Sequence, residues 1–151
     1  MVEPIGRNER VVRGSHVVAV AALIVRAGAD AIPRVLAMRR AADRNAGAGL
    51  WETLSGRVEQ GEEPLAAVQR EIAEECGLQV AIDPRPFSAY AALRRELPMI
   101  VVGYRARWLA GEVRMSSEHD AHAWLTADEF RARSTLTKLA DVVTAALSVP
   151  Q

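Results

Sequence analysis

From Val17 to Val25 the chain runs through nine apolar residues without a break, Val-Val-Ala-Val-Ala-Ala-Leu-Ile-Val. A helix that crosses a bilayer needs roughly 20 such residues, so this run is too short to span one. Its Val content and its alternation read instead as a strand buried within a sheet. A buried strand needs neighbours and cover, which a chain of 151 residues can supply. Domains of that size bury roughly 68–70% of their unfolded surface. Half of the residues are apolar and a quarter charged, which is ordinary globular usage and excludes disorder and low-complexity scaffolds.

The rest of the chain alternates between the two periods. His16 to Arg26 and Arg34 to Met38 predict two strands around a Gly/Asp/Pro-containing loop. Arg39 to Gly49 reads as an exposed loop, and Leu50 to Leu54 as a short strand ending at Ser55-Gly56. Between Pro64 and Cys76 the period becomes helical, with Leu65, Val68, Ile72 and Cys76 on one face, Pro64 in the first turn and Gly77 just past the end. Pro86 to Leu93 and Met99 to Leu109 read as strands joined at Arg94-Arg95-Glu96, and Ala121 to Leu125 as another strand. Thr126 has the form of an N-cap with Glu129 as its capping-box partner, and a last helix is expected from Leu136 to Leu147. With no internal repeat and no linker-like stretch, the expectation is a flexible N-terminal segment, residues 1–13, followed by one mixed α/β domain over residues 14–149.

The helix after Pro64 carries an acid cluster. Glu71, Glu74 and Glu75 stand three and four residues apart and share a face. With Leu65 at zero, the apolar stripe covers about 300° to 20° and the glutamates about 180° to 280°, so the acids border the buried side. Like charges at these spacings cost roughly 0.2–0.5 kcal/mol per pair, and shielding from water adds to the cost. A positive partner is therefore expected among them, either Arg70 or a hard divalent cation with oxygen ligands.

Nineteen basic residues balance nineteen acidic ones, leaving a formal charge of zero and no chain-wide footprint for a long nucleic acid. The single cysteine, Cys76, excludes an intramolecular disulfide and suits a reducing compartment. Arg7, Arg10 and Arg13 lie in a polar N-terminus without a signal-type apolar core, so a cytoplasmic, membrane-free protein is expected.

Gly56, five residues, Glu62, seven residues, then Arg70-Glu71-Ile72-Ala73-Glu74-Glu75-Cys76-Gly77-Leu78 resembles the complete Nudix box, Gly-x5-Glu-x7-Arg-Glu-U-x-Glu-Glu-x-Gly-U, where U is a bulky aliphatic. A chance match to all nine specified positions is on the order of 10⁻⁸ to 10⁻⁷ for a chain of this length. Trp51 before the box and a late Glu118-His119-x-x-x-x-Trp124-Leu125 segment also look like a Nudix domain. One departure stands out: family members commonly carry Pro-Gly-Gly where this chain has Leu54-Ser55-Gly56, keeping only the second glycine.

The resemblance implies a Nudix-type α/β/α sandwich with a mixed sheet between helices. It also implies a Mg²⁺-dependent pyrophosphohydrolase, with Mn²⁺ as a substitute. The substrate would be a nucleoside diphosphate linked to another group, most simply a nucleoside triphosphate or related nucleotide, cut to a monophosphate. Carried over by position, Glu74 and Glu75 are the principal metal ligands, and Glu71 is a third ligand or the base that activates water. Arg70 orients these carboxylates through Glu62 and is more structural than catalytic. Gly56 supplies its carbonyl to the ion, and Arg57 is the residue placed to touch a phosphate. The further acid that relatives bring from a loop or late strand is expected at Glu118, a ligand or base, with Asp120 as the second choice. Dimers are frequent in the family, so a homodimer is compatible with it. The rival reading is a Nudix-fold module that senses a nucleotide without cleaving it. Such modules usually lose box acids, and this chain keeps them.

Other groups are set aside. His119 and His122 are an odd number apart and point to opposite faces of a strand, which disfavours a shared zinc. Cys76 fills an unspecified box position and reads as core. Arg39, Arg40 and Arg44 read as solvated loop charges, and Phe87, Tyr90 and Tyr104 as strand packing before base stacking.

Overall fold

The computed structural model describes residues 14–42, 47–94 and 96–150. The 1–13 segment and the expectations placed on Arg44 and Arg95 fall outside them. The elements follow as β1 Val17–Ala27, β2 Pro33–Arg40, β3 Trp51–Glu52, β4 Leu54–Arg57, α1 Pro64–Glu75, β5 Gln79–Ile82, β6 Ser88–Arg94, β7 Leu97–Ala110, β8 His119–Leu125, α2 Ala127–Arg133 and α3 Thr137–Leu147.

The apolar run becomes β1 at the centre of a mixed sheet. It pairs in parallel with β7 from Val17↔Met99 to Val25↔Arg107. Its other edge is divided: β4 takes Ala19 to Ala22 and β2 takes Val25 to Ala27, both antiparallel. The sheet therefore forks between β4 and β2, while β4, β1, β7 and β6 stay side by side as one continuous surface. Strand β7 likewise shares its far edge between β6 and β5, and β2 carries β3 and β8.

Alternation along β1 feeds two cores. Val20, Ala22 and Ile24 pack with Leu36, Met38 and Leu54 under Val68, Ile72 and Cys76 of α1. Leu23 and Val25 pack with Val35 and Leu125 under Phe130 of α2 and Leu139, Ala140 and Val143 of α3. A strand with helices on both faces is buried on both faces, which is why its sequence is continuously apolar. The result is the expected α/β/α sandwich. No helix among the described residues is long and apolar enough to cross a membrane.

Local chemistry sets the helix ends. Pro64 opens α1 after Glu63, and Gly77, at φ +68°, turns the chain away while its N–H and that of Cys76 both donate to the Ile72 carbonyl. Thr126 and Glu129 form the full capping box at the start of α2. Several strands differ from the sequence reading: β7 and β8 begin two residues earlier, and the expected strand from Leu50 to Leu54 is divided into β3 and β4. Strand β2 continues to Arg40 because β3 and β8 supply ladder partners there. Strand β4 runs through Ser55-Gly56 to Arg57 because β1 offers Ala19 to Ala22 beside it. The four-residue β5 is an addition whose pairing with the end of β7 is long-range, so no local period announces it.

Candidate active site

The bordering position of the acids on α1 has the expected consequence. Glu71 and Glu75 are buried, at 8% and 6% exposure, while Glu74 points outward. One carboxylate oxygen from each of the three lies within 4.8 Å of the others. Burial raises the pKa of Glu71, with Arg70 opposing it. Burial also raises that of Glu75, opposed by the Ser116 hydroxyl and reinforced by a hydrogen bond to Glu118.

Arg70 is the cation expected beside them. Its Nε and Nη2 donate to Glu62 at 2.8 and 2.9 Å, as a fork against one carboxylate. Its Nη1 donates to Glu71 at 2.8 Å and to Glu74 at 3.4 Å, and Nη2 also reaches the Arg57 carbonyl at 3.1 Å. The guanidinium holds Glu62 well down, at about 2. One arginine thus ties the loop after β4 to the acid face of α1.

Gly56 lies directly opposite Glu71. A Cβ built at that position would collide with the Glu71 carboxyl group. The glycine is required here by the approach of a side chain, a reason additional to the approach of an ion. Arg57 is exposed beside it.

These groups form one end of a cleft of about 870 Å³, where Gly56, Arg57, Glu71 and Glu118 meet. Its lining includes the small side chains Ala19, Ala21 and Ser55 of the paired strands β1 and β4. Tyr90, Met99 and Lys138 line the far end. Lys138 Nζ donates to the Ala91 carbonyl at 2.7 Å, closing α3 against β6.

The segment before β8 brings in the remaining groups. Glu118 stands in the cleft, hydrogen-bonded to Glu75, and its charge also acts on Glu71. Ser116 donates to Glu75 Oε2 at 2.5 Å. Asp120, the second choice, instead pairs with Arg39 Nε at 2.7 Å on the outer surface. The two histidines diverge: His122 is exposed, whereas His119 is buried between Glu52 and Glu75. Arg40 is not a loop charge, since it belongs to β2 and its Nη1 donates to Glu52 at 3.0 Å. Tyr104 is core, Phe87 packs against the α3 side, and Tyr90 faces the cleft, where burial raises its hydroxyl pKa to about 12. Glu52 has no place in the sequence reading, and His119 is weighed there only as a zinc ligand that is set aside. A carboxylate inside the apolar stretch Leu50 to Leu54 was the available signal for the first.

Comparison with known proteins agrees with this arrangement. Residues 15–147 match the NUDIX domain family model. A MutT-like protein of Streptomyces ambofaciens is 36% identical over 118 residues, 78% of this chain and 69% of that protein. An octanoyltransferase of Myxococcus xanthus is 38% identical over 96 residues, 61% of this chain, although the chain spans only 26% of that protein's length. Among solved structures, an Ap4A hydrolase of C. elegans in a binary complex superposes with a TM-score of 0.75 at 19% identity, over 84% of this chain and 92% of that one. With the family model covering most of its length and three box acids gathered within 4.8 Å of one another, the chain belongs to the Nudix hydrolase family.

Proposed function

We propose that the chain is a Mg²⁺-dependent pyrophosphohydrolase, with Mn²⁺ as a substitute. It cleaves a nucleoside triphosphate or another nucleoside diphosphate linked to a further group, and releases a monophosphate. The unit responsible is residues 14–149, read as one domain. One observation carries the proposal: three carboxylates lie within 4.8 Å of one another, and one of them, Glu71, lines a cleft large enough for a nucleotide. The donor set fits a hard cation, because it is all oxygen and because two of the carboxylates are buried. The names of the relatives, a MutT-like protein and an Ap4A hydrolase, support small nucleotide substrates.

Each residue then has a role. Glu74 and Glu75 are the principal ligands, Glu71 is a third ligand or the base, and the Gly56 carbonyl completes that side. A divalent cation held by these oxygens would supply polarisation of phosphoryl oxygens and a lowered pKa for bound water. Glu118, on the cleft side of Glu75, ligates or accepts the proton of the attacking water. Arg70 holds Glu62, Glu71 and Glu74 in place and does not reach the reacting atoms. Arg57 at the cleft mouth contacts a phosphate.

A panel of nucleoside triphosphates, dinucleoside polyphosphates, nucleotide sugars and ADP-ribose with Mg²⁺ tests the proposal. The expected result is monophosphate release from at least one class, abolished by chelation. Nucleotide binding without turnover on any class would favour a sensor module instead.

A further inference from the structure

His119 is 5% exposed, and its ring lies between two buried carboxylates. Nε2 is 3.0 Å from Glu52 Oε2, and Nδ1 is 3.6 Å from Glu75 Oε2. Nδ1 is fully enclosed and makes no hydrogen bond, so the ring is aimed at Glu75 rather than satisfied elsewhere. Glu52 is itself held: Arg40 Nη1 lies at 3.0 Å and Arg94 Nη2 at 3.6 Å, reaching it from β2 and from the β6–β7 hairpin. A packing role alone would be filled by an apolar side chain, without the cost of enclosing a polar nitrogen.

The strand is shaped to make this contact. Pairing of β8 with β2 skips Asp120, with Arg39 opposite Ala121 and Arg40 opposite His119. Such a bulge re-aims the neighbouring side chain, here while Asp120 goes outward to Arg39. The Glu75 carboxylate is thus met on Oε2 by both Ser116 and His119.

We propose that His119, braced by Glu52, is a positioning residue that fixes the Glu75 carboxylate for divalent-cation binding. The proposal rests on Glu75 being a metal ligand. Groups standing behind a ligand typically change metal affinity by about 10–100-fold when removed.

Direct Mn²⁺ binding to the whole chain, read by the EPR signal of free Mn²⁺, tests this together with thermal melts and kinetics. His119→Leu should bind Mn²⁺ about 10–100-fold more weakly. Its kcat at saturating Mn²⁺ should stay within a few-fold of the parent. His119→Gln, which keeps polar atoms near both carboxylates, should recover most of the affinity, and Glu52→Gln should lose part of it. His122→Ala should bind as the parent does. Mn²⁺ affinity within twofold of the parent in a cooperatively melting His119→Leu overturns the proposal, as does equal loss in the Leu and Gln variants. If His119→Leu does not fold, unchanged affinity in Glu52→Gln overturns it. Glu75→Gln separates the two levels. If it weakens Mn²⁺ binding while the His119 variants do not, only the positioning role fails. If it leaves Mn²⁺ binding unchanged, the metal assignment fails with it.

Discussion

Glu71 occupies the space that any side chain at position 56 would need. Gly56→Ala therefore forces either β4 or the Glu71 carboxylate to move, although the chemical change is a single methyl. A displacement of about 1 Å at a reacting centre costs on the order of 10²-fold in rate, so kcat/KM should fall by that much. The melting temperature should move little if the carboxylate, the more mobile of the two, gives way. Near-parental kcat/KM in Gly56→Ala would show that Glu71 needs no fixed position. Glu75 is tested differently, because Gln keeps its size and its contact with Ser116 and removes only the charge. Glu75→Gln should lower kcat by at least 10²-fold, about 2.7 kcal/mol of transition-state stabilisation, with folding intact. Normal turnover at limiting Mg²⁺ would remove Glu75 from the ligand set.

Strand β4 is the element where this chain departs from its family, with Leu54-Ser55 in place of Pro-Gly. Leu54 is 1% exposed in the core under α1, and Ser55 is in register with Ala21 of β1 while lining the cleft floor. The chain has used the position for core packing. Replacing the pair by Pro-Gly removes that side chain and adds a fixed φ and a missing N–H, which should cost about 2 kcal/mol or more in a urea melt. Parental stability would mean that the backbone already follows the family path. Element α1 was legible because its period, its Pro64 and its Gly77 are all local signals, and the same holds for the Thr126–Glu129 box. Strand β5, the ends of β2 and β4, and the bulge at Asp120 were not, because their extents are decided by partners far along the chain.

At the scale of the molecule, the site is one contiguous motif completed by distant segments. The box acids could be read directly, since one helix carries all three. Glu118 was legible only through the family resemblance, and Glu52, Ser116 and His119 were not, since Ser116 and His119 reach Glu75 only through the return of the chain before β8 and Glu52 meets His119 across the fold. That return is pinned at several points: Arg114 N donates to the Cys76 carbonyl at 3.0 Å, Ser116 to Glu75, and Ala41 N to the Glu118 carbonyl at 2.9 Å. Glu118 therefore meets the acids from a segment outside α1, hydrogen-bonded to Glu75 and with its charge acting on Glu71. On the proposed function, Glu118 would supply a ligand or base that does not belong to α1. Removing its charge should act on the chemical step, with Glu118→Gln lowering kcat by about 10²-fold, raising KM less, and weakening the Mn²⁺ dependence of the rate. Asp120→Asn should leave steady-state kinetics close to the parent, because Asp120 pairs with Arg39 on the outer surface. The reverse ranking would move the role two residues along the strand, against the direction of the bulge. Silence at both positions would leave Glu71 as the base, and the contact of Glu118 with Glu75 would then serve only to hold the site together.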